Sequence, residues 1–329
     1  MTRSLVTGGA GFIGSHLVNA LLMRGDHVTV LDDLSTGKRE RLDAHRGHPA
    51  YEGIEGTVLD VDLVDRLVRD ADVVYHLAAV VGVHNVLADP LGAIRTNVHG
   101  TENALAAAAR HGCAVVFAST SEIYGRSRAV PFAEDGERTL GPTWVQRWSY
   151  STSKALDEHL AFAYADRGLP VAVIRYFNAY GPGIDARGYG SVIARFAAQA
   201  LAGQPMTVHG DGAQSRCFTY VEDTVAGTIL AAGAARPRAG VVFNIGSREE
   251  TTVRRLAELV REELGSRSEI VTVPYESYYG PGHEDTRQRV PDTRHAEREL
   301  GFVAKTSLRE GLPATLEWCR KNFAVGRAS

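Results

Sequence analysis

The chain is short of everything that would staple, metallate or embed it. Its 329 residues include three cysteines, Cys113, Cys217 and Cys319. They are odd in number, far apart and in no Cys-x-x-Cys pair, which argues against a disulfide framework and against a zinc site. They read as buried, reduced thiols, and no metal is expected. No apolar run approaches the ~20 residues that a membrane span needs. The N-terminus carries no apolar leader with a cleavage site, because the chain enters its first strand at about Arg3 to Val6. The expectation is a cytoplasmic protein with no membrane partner. Neither sign of charge is in excess: 36 Lys and Arg stand against 39 Asp and Glu, for a net charge of -3. That leaves no basic field for nucleic acid, so a small molecule is the default partner. With 44% hydrophobic and 23% charged residues, the composition is that of a globular protein able to bury a sizeable core.

What is present is an alternation of strand and helix. Arg3 to Thr7 reads as a short strand, followed by Gly8-Gly9-Ala10-Gly11-Phe12-Ile13-Gly14 and a helical pattern over Ser15 to Arg24. Glycines at 8, 11 and 14 in that setting permit a tight turn, close approach of the backbone to a pyrophosphate, and tight contact between helix and strand. His27 to Asp32 supplies a second strand that ends in an acid. A carboxylate there accepts from a ribose 2′-hydroxyl and repels a 2′-phosphate, so Asp32 favours NAD over NADP, with Asp33 as the neighbouring candidate. Thr57 to Asp60 reads as a strand and Val61 to Arg69 as a helix. Asp72 to Ala79 reads as a buried parallel strand, with His76 as a core histidine rather than a catalyst. A helix over about Asn97 to His111 holds Ala104 and Ala106 to Ala109, small enough for an oligomer interface or a tight sheet contact.

Ala114 to Ala118 is a further buried strand, and it runs into Ser119-Thr120-Ser121-Glu122-Ile123-Tyr124-Gly125. Open α/β sheets place their chemistry at the C-terminal ends of strands, so hydroxyls and a carboxylate here bear on function. Downstream, Tyr150 and Lys154 stand four residues apart. On a helix they share one face, about a turn apart. An adjacent ammonium favours the phenolate of a tyrosine whose free pKa is ~10, which makes the pair a usable general acid/base. A strand over Val171 to Arg175 comes next. Beyond about residue 178 the composition shifts toward scattered glycine, proline and arginine, with helical patterns near Val192 to Ala202 and Val253 to Leu264. The expected organisation is a Rossmann-type doubly wound α/β domain over residues 1–177 and a smaller lobe over 178–329, with segments near 221–246 returning to the sheet.

Taken together, Thr7 to Gly14, Asp60, His76-Leu77-Ala78-Ala79, Asn97, Ser119 to Gly125, Tyr150-x-x-x-Lys154, Arg175-Tyr176-Phe177-Asn178 and Phe243-Asn244-Ile245-Gly246 resemble the extended short-chain dehydrogenase/reductases acting on nucleotide sugars. The resemblance spans nearly the whole chain. It implies a seven-stranded parallel sheet, a tightly held NAD, a C-terminal lobe that grips a nucleoside diphosphate sugar, and a homodimer. It also implies roles. Tyr150 is the base, Lys154 holds the nicotinamide ribose and lowers the pKa of Tyr150, and Thr120 shares the hydrogen bond to the sugar hydroxyl. Gly8, Gly11, Phe12, Ile13 and Gly14 cover the pyrophosphate, Asp32 binds the adenosine ribose and Asp60 faces the adenine, with Leu77, Ala78, Ala79 and Asn97 completing the cofactor site. Asn178, Arg216 and Arg287 look like contacts to the diphosphate, where an arginine fork suits paired phosphate oxygens.

Members of this family share one first step, oxidation at carbon 4 of the sugar, and differ in the later ones. A 4,6-dehydratase of the deoxyglucose type carries an Asp where Ser121 stands, although dehydratases of the GDP-mannose type share Thr-Ser-Glu. Simple 4-epimerases tend to have small or hydroxyl residues at the position of Glu122. The UDP-glucuronate decarboxylases resemble the chain at Ser119 to Gly125, at Arg147-Trp148-x-Tyr150-Ser151-x-Ser153-Lys154, and at Tyr278-Tyr279-Gly280-x-Gly282-x-x-Asp285 with Arg289-Val290-Pro291-Asp292. That likeness implies that Arg289 holds the substrate carboxylate while Glu122 and Ser121 position the sugar. A carboxylate beside a substrate carboxylate is tolerable only if Arg289 offsets it. The product would be UDP-xylose or a UDP-4-keto-pentose. A UDP-glucose or UDP-glucuronate 4-epimerase is the alternative, ahead of a dehydratase or a non-catalytic NAD-binding protein.

Overall fold

A computed structural model describes residues 1–185, 191–235, 240–274 and 286–323. Its centre is a sheet built from β1 (Arg3–Thr7), β2 (His27–Asp32), β3 (Tyr51–Glu55), β4 (Val73–His76), β5 (Ala114–Thr120), β6 (Val171–Tyr176) and β11 (Val241–Ile245). The seven strands lie in the order β11-β6-β5-β4-β1-β2-β3. Every pairing is parallel. This is the Rossmann-type sheet expected from the alternating pattern. The chain order reverses between β1 and β4, and the crevice above their C-terminal ends is where such sheets take ligands.

Helices α1 (Phe12–Arg24), α2 (Val61–Arg69), α3 (Val83–Ala88), α4 (Pro90–His111) and α5 (Arg147–Asp166) connect the strands. The central strands are buried on both faces: Val115, Val116, Phe117 and residues 171–174 are all 0% exposed. Their continuous apolar runs are explained by that double coverage. The small residues of α4 serve the same packing within the chain, since Ala104, Ala107 and Ala108 are buried against the sheet while Ala109 is exposed.

Two sequence expectations change. Residues 57–60 form a turn, not a strand, closed by a bond from the Asp60 amide to the Thr57 carbonyl at 3.1 Å. The third strand is instead Tyr51–Glu55, an edge strand with mostly exposed side chains, which has no apolar run to reveal it. The second change concerns the lobes. Helix α7 (Val221–Ala234) and β11 join the main core, and so do Ala296 and Phe302 from the C-terminal region. The expected return near residues 221–246 is thus joined by residues of the C-terminal region.

The rest of the second lobe has its own core, built from Phe196, Val208, Leu256, Val260, Leu312 and neighbours. It contains β7 (Ala179–Tyr180), α6 (Val192–Leu201), β8 (Met206–His209), β9 (Ser215–Cys217), β10 (Thr219–Tyr220), β12 (Glu250–Thr252), α8 (Val253–Leu264), β13 (Ile270–Val273) and β14 (Gln288–Arg289). A three-stranded sheet, β12-β9-β14, sets Arg289 directly beside Arg216. All three cysteines are free and buried. Among the described residues no helix is long and apolar enough to cross a membrane, and no group of side chains is placed to hold a metal ion.

Candidate active site

A cleft of about 340 Å³ runs across the C-terminal ends of the sheet. Its floor is the turn between β1 and α1. Gly8 adopts φ +74°, and a side chain there would meet the Ala78 backbone nitrogen at 2.8 Å. Any Cβ on Gly14 would strike the Gly8 carbonyl. Both positions are therefore closed to other residues, and the N-terminus of α1 opens onto the cleft with Gly11, Phe12 and Ile13 in its wall. A helix start of this kind suits a pyrophosphate.

Asp32, at the end of β2, lines one end of the cleft with Asp33. Its carboxylate accepts from the Ala10 amide at 2.8 Å and the Leu34 amide at 2.9 Å. Burial pushes its pKa up, and these two bonds oppose the shift. The acid thus ties the glycine loop to the strand end that would carry a ribose. Leu77, Ala78 and Ala79 form the opposite wall. Asn97 is not in the wall but stands behind it, fully buried. It accepts from the Val80 amide at 2.8 Å and faces the Ser153 hydroxyl at 3.3 Å, so it fixes the loop after β4.

Asp60 does not face the cleft. Its carboxylate caps α2 by accepting from the Leu63 amide at 3.0 Å, and Gly56 and Val58 take the place in the wall that the resemblance assigned to it. A capping acid and a ligand-binding acid look alike in sequence because both sit just before a helix. Arg41, Thr36 and Ser35 line the cleft without having been expected. Arg41 donates to the carbonyls of Ala10 and Gly183 at 3.1 and 2.7 Å, bridging the glycine loop to the second lobe. It lies in a 3-10 helix with no motif to mark it.

The reactive end lies where β5 runs out. Thr120 caps the short helix Ser121–Tyr124, its hydroxyl accepting from the Glu122 amide at 3.2 Å. Ser151 on α5 donates to the Glu122 carbonyl at 2.8 Å, so α5 holds that turn in place. Thr120 and Tyr150 both line the cleft, and the Thr120 hydroxyl bonds the Tyr150 phenol. Ser121 is buried, at 2% exposure.

Glu122 is not alone. Arg289 Nη1 donates to its Oε1 at 2.9 Å, and Arg147 Nη1 lies 3.7 Å from its Oε2. The two guanidiniums are 8% and 6% exposed. Neither Glu122 nor Arg289 is among the residues lining this cleft, but the Tyr150 phenol at its reactive end feels both charges. Arg147, at the start of α5 and one turn before Tyr150, is the member of this cluster that sequence reasoning left without a role.

The electrostatics of Tyr150 differ from the expectation. Burial raises its pKa first, and the Glu122 carboxylate raises it further. The Thr120 hydrogen bond and Arg289 pull the other way. The Lys154 ammonium is turned to Asp157, 3.3 Å away, and sits 4.0 Å over the Phe117 ring. In this state the phenol is therefore protonated at neutral pH rather than activated.

Behind these groups runs a buried network. Ser119 donates to Glu158, and Arg175 grips the same carboxylate through Nε and Nη2 at 3.0 and 2.7 Å. Arg175 also reaches the Tyr124 hydroxyl at 2.8 Å, which donates to Asn244 Oδ1 at 2.7 Å. Arg175 and Asn244 are thus structural ties between strands, not contacts to a ligand. His76 is a core residue as expected: its ring nitrogens meet the hydroxyls of Thr7 and Thr101 at 2.8 and 3.2 Å, and burial drives its pKa down to about 3.

Of the residues expected to hold the diphosphate, Asn178 lines the cleft, and its buried Oδ1 has no hydrogen-bond partner among the described residues. Arg216 is 8% exposed beside Arg289. Arg287 is instead on the surface, with a side chain 64% exposed and paired to Asp211 at 2.8 Å. The sequence could not show a partner 76 positions away. The segment Tyr278 to Asp285 lies outside the described residues.

The glycine cradle and the acid at the end of β2 fit a dinucleotide lying across the sheet. Comparisons with known proteins agree. Residues 4–246 match the model of the NAD dependent epimerase/dehydratase family. The chain is 42% identical over 319 residues to a UDP-N-acetyl-alpha-D-glucosaminuronate decarboxylase of Bacillus cytotoxicus, covering 97% of this chain and 98% of that one. It is 35% identical to UDP-glucuronic acid decarboxylase 1 of Xenopus tropicalis, covering 98% of this chain and 73% of the relative. Among solved structures, a UDP-glucuronic acid 4-epimerase of Bacillus cereus, in complex with UDP-glucuronic acid and NAD, superposes with a TM-score of 0.86 at 29% identity, covering 97% and 99% of the two chains. Sequence, fold and site together place the chain in the NAD dependent epimerase/dehydratase family, with NAD as its cofactor.

Proposed function

We propose that the chain decarboxylates a UDP-hexuronate, UDP-glucuronate or its 2-acetamido counterpart, by way of a 4-keto sugar. The observation that carries the reading is the Glu122 carboxylate held between Arg289 and Arg147 beside the Tyr150 phenol. The Arg289 guanidinium in this cluster has the planar donor fork that suits a carboxylate, and its positive charge favours a carboxylate substrate at this end of the site. The relatives named above support the same substrate class.

Gly8, Gly11, Phe12, Ile13, Gly14, Asp32 and the wall Leu77 to Ala79 would hold NAD, which when bound supplies a hydride acceptor facing sugar carbon 4. Tyr150, once deprotonated, takes the proton of the 4-hydroxyl, with Thr120 sharing that hydrogen bond. The resulting ketone lies β to the carboxylate, so the bond between carbons 5 and 6 can break. Carbon dioxide leaves, its bonding electrons pass into the enolate at carbons 4 and 5, and a proton returns to carbon 5. Arg289 orients the departing carboxylate. Glu122 and the buried Ser121 lie on the strand-end turn that would place the sugar. Asn178 and Arg216 are assigned to the diphosphate; Arg287, engaged with Asp211 at the surface, is not.

The exposed apolar residues Leu91 and Ile94 of α4 and Leu156 of α5 support a homodimer that buries these helices, and the free, buried cysteines suit a cytoplasmic setting. Incubation with UDP-glucuronate or UDP-N-acetylglucosaminuronate and NAD tests the reaction by product mass. Loss of carbon dioxide is expected; an isomer of unchanged mass means a 4-epimerase.

A further inference from the structure

We propose that Asp157 is a positioning residue that keeps Lys154 an ammonium, and through it sets the pH at which Tyr150 becomes a base. The inference rests on Tyr150 being the base of the proposed reaction, and goes beyond that reading by naming a group the reaction does not touch.

Asp157 and Lys154 are three positions apart on α5, with side chains 0% and 2% exposed and a separation of 3.3 Å. An ammonium so thoroughly removed from water loses its proton unless an anion answers it. The neighbours leave that task to Asp157. From β4, His76 faces Lys154 but is neutral. From β5, the Phe117 ring offers only its π face. Glu158, the next residue on α5, favours the ammonium less than Asp157 does, because it is gripped at both oxygens by Arg175 and bonded by Ser119. Beside Asp157 lie the Lys154 cation, the Thr101 hydroxyl of α4, and Glu158, whose like charge opposes ionisation of Asp157. Both members of the pair are disfavoured as ions by burial, and each supports the charge of the other.

The sign of the effect separates this role from a bystander's. The charged groups around the phenol are Glu122, Arg289 and Asp157 itself. Acting directly, two helical turns from Tyr150, the Asp157 charge disfavours the phenolate. Under the role proposed for Lys154, one turn from Tyr150 on α5, it favours the phenolate, because the ammonium persists. Replacing Asp157 by asparagine therefore moves the Tyr150 titration up if the ammonium is lost, and leaves it or moves it down if Lys154 stays charged without help.

The test uses the NAD-loaded protein. Ultraviolet difference titration isolates the Tyr150 phenolate as the signal missing in Tyr150→Phe. In Asp157→Asn that signal is expected about one pH unit or more higher than in the wild type, with the acid limb of kcat/KM for UDP-glucuronate moving in parallel. An unmoved or lowered titration overturns the proposal. Thermal melting provides an arm that needs neither substrate nor a well-behaved single variant. Lys154→Met should melt early because Asp157 is left charged and unpaired, and adding Asp157→Asn should restore much of the loss. A double variant no more stable than Lys154→Met overturns the proposal as well. If Tyr150→Phe retains turnover, it is the base assignment that fails, and the melting comparison still decides whether the two ions depend on each other.

Discussion

Arg289 and Glu122, 167 positions apart in the chain, meet in a hydrogen-bonded ion pair of 2.9 Å next to the Tyr150 phenol. The pair joins the end of β5 in the first domain to β14 in the second lobe. The two halves of the chain therefore build the reactive end together, while the glycine loop belongs to the first domain alone.

Arg289→Ala should abolish carbon dioxide release while NAD stays bound, since Arg289 is not among the residues that line the cofactor cleft. Glu122 would keep Arg147, at 3.7 Å, and the site would turn more negative toward a carboxylate substrate. Release measured at the wild-type rate would sink the assignment of Arg289; loss of NAD along with activity would make its role structural.

Tyr150→Phe removes the phenol oxygen that takes the 4-hydroxyl proton in the proposed step. A general base of this kind is worth roughly 10²–10⁴-fold in rate. Turnover retained above about one part in a hundred, measured by release of labelled carbon dioxide, contradicts the role.

The Arg175–Glu158 pair gives a stability prediction. Both side chains are buried, at 8% and 7% exposure, and the pair bonds at 2.7 Å. Glu158→Gln leaves the guanidinium uncompensated and should cost about 3–5 kcal/mol in urea denaturation. A change below about 1 kcal/mol would show that Tyr124 and the Glu134 carbonyl suffice for Arg175.

His76 should make the protein acid-sensitive. Its folded pKa is driven to about 3 by burial and by the Lys154 charge, against an ordinary 6.5. The unfolded chain takes up a proton below the ordinary value and the native state does not. Stability from this group is thus complete above pH ~6.5 and is lost as pH falls toward the folded pKa, at about 1.4 kcal/mol per pH unit. Denaturation of wild type and His76→Asn at pH ~6 and pH ~4 checks this: the stability difference between the two proteins should narrow at the lower pH, and a constant difference rules the linkage out.

The parts that were legible in the sequence are those written in short spacings. The Gly8 to Gly14 turn, the acid closing β2 and the Tyr150-x-x-x-Lys154 step each depend on residues within a turn or two of one another. A local pattern is ambiguous where it serves two purposes. Asp60 before α2 reads equally as a cap and as a ligand, and only the cleft wall separates them. The edge strand Tyr51–Glu55 has no buried face to generate a period, so the apolar Thr57 to Leu59 stretch took its place. Arg287 carried the right chemistry for a diphosphate, but a surface carboxylate 76 positions earlier holds it.

By itself the sequence determined the doubly wound sheet and the cofactor class. Backbone sterics and the helical and strand periods act over a few residues, and a single chain displays them directly. Tertiary structure alone decided that Glu122 stands between Arg289 and Arg147, that Lys154 turns to Asp157, and that the Tyr150 phenol is held protonated. Charge pairing and desolvation depend on distances through space, and those exist only once the second lobe has closed over the ends of the strands.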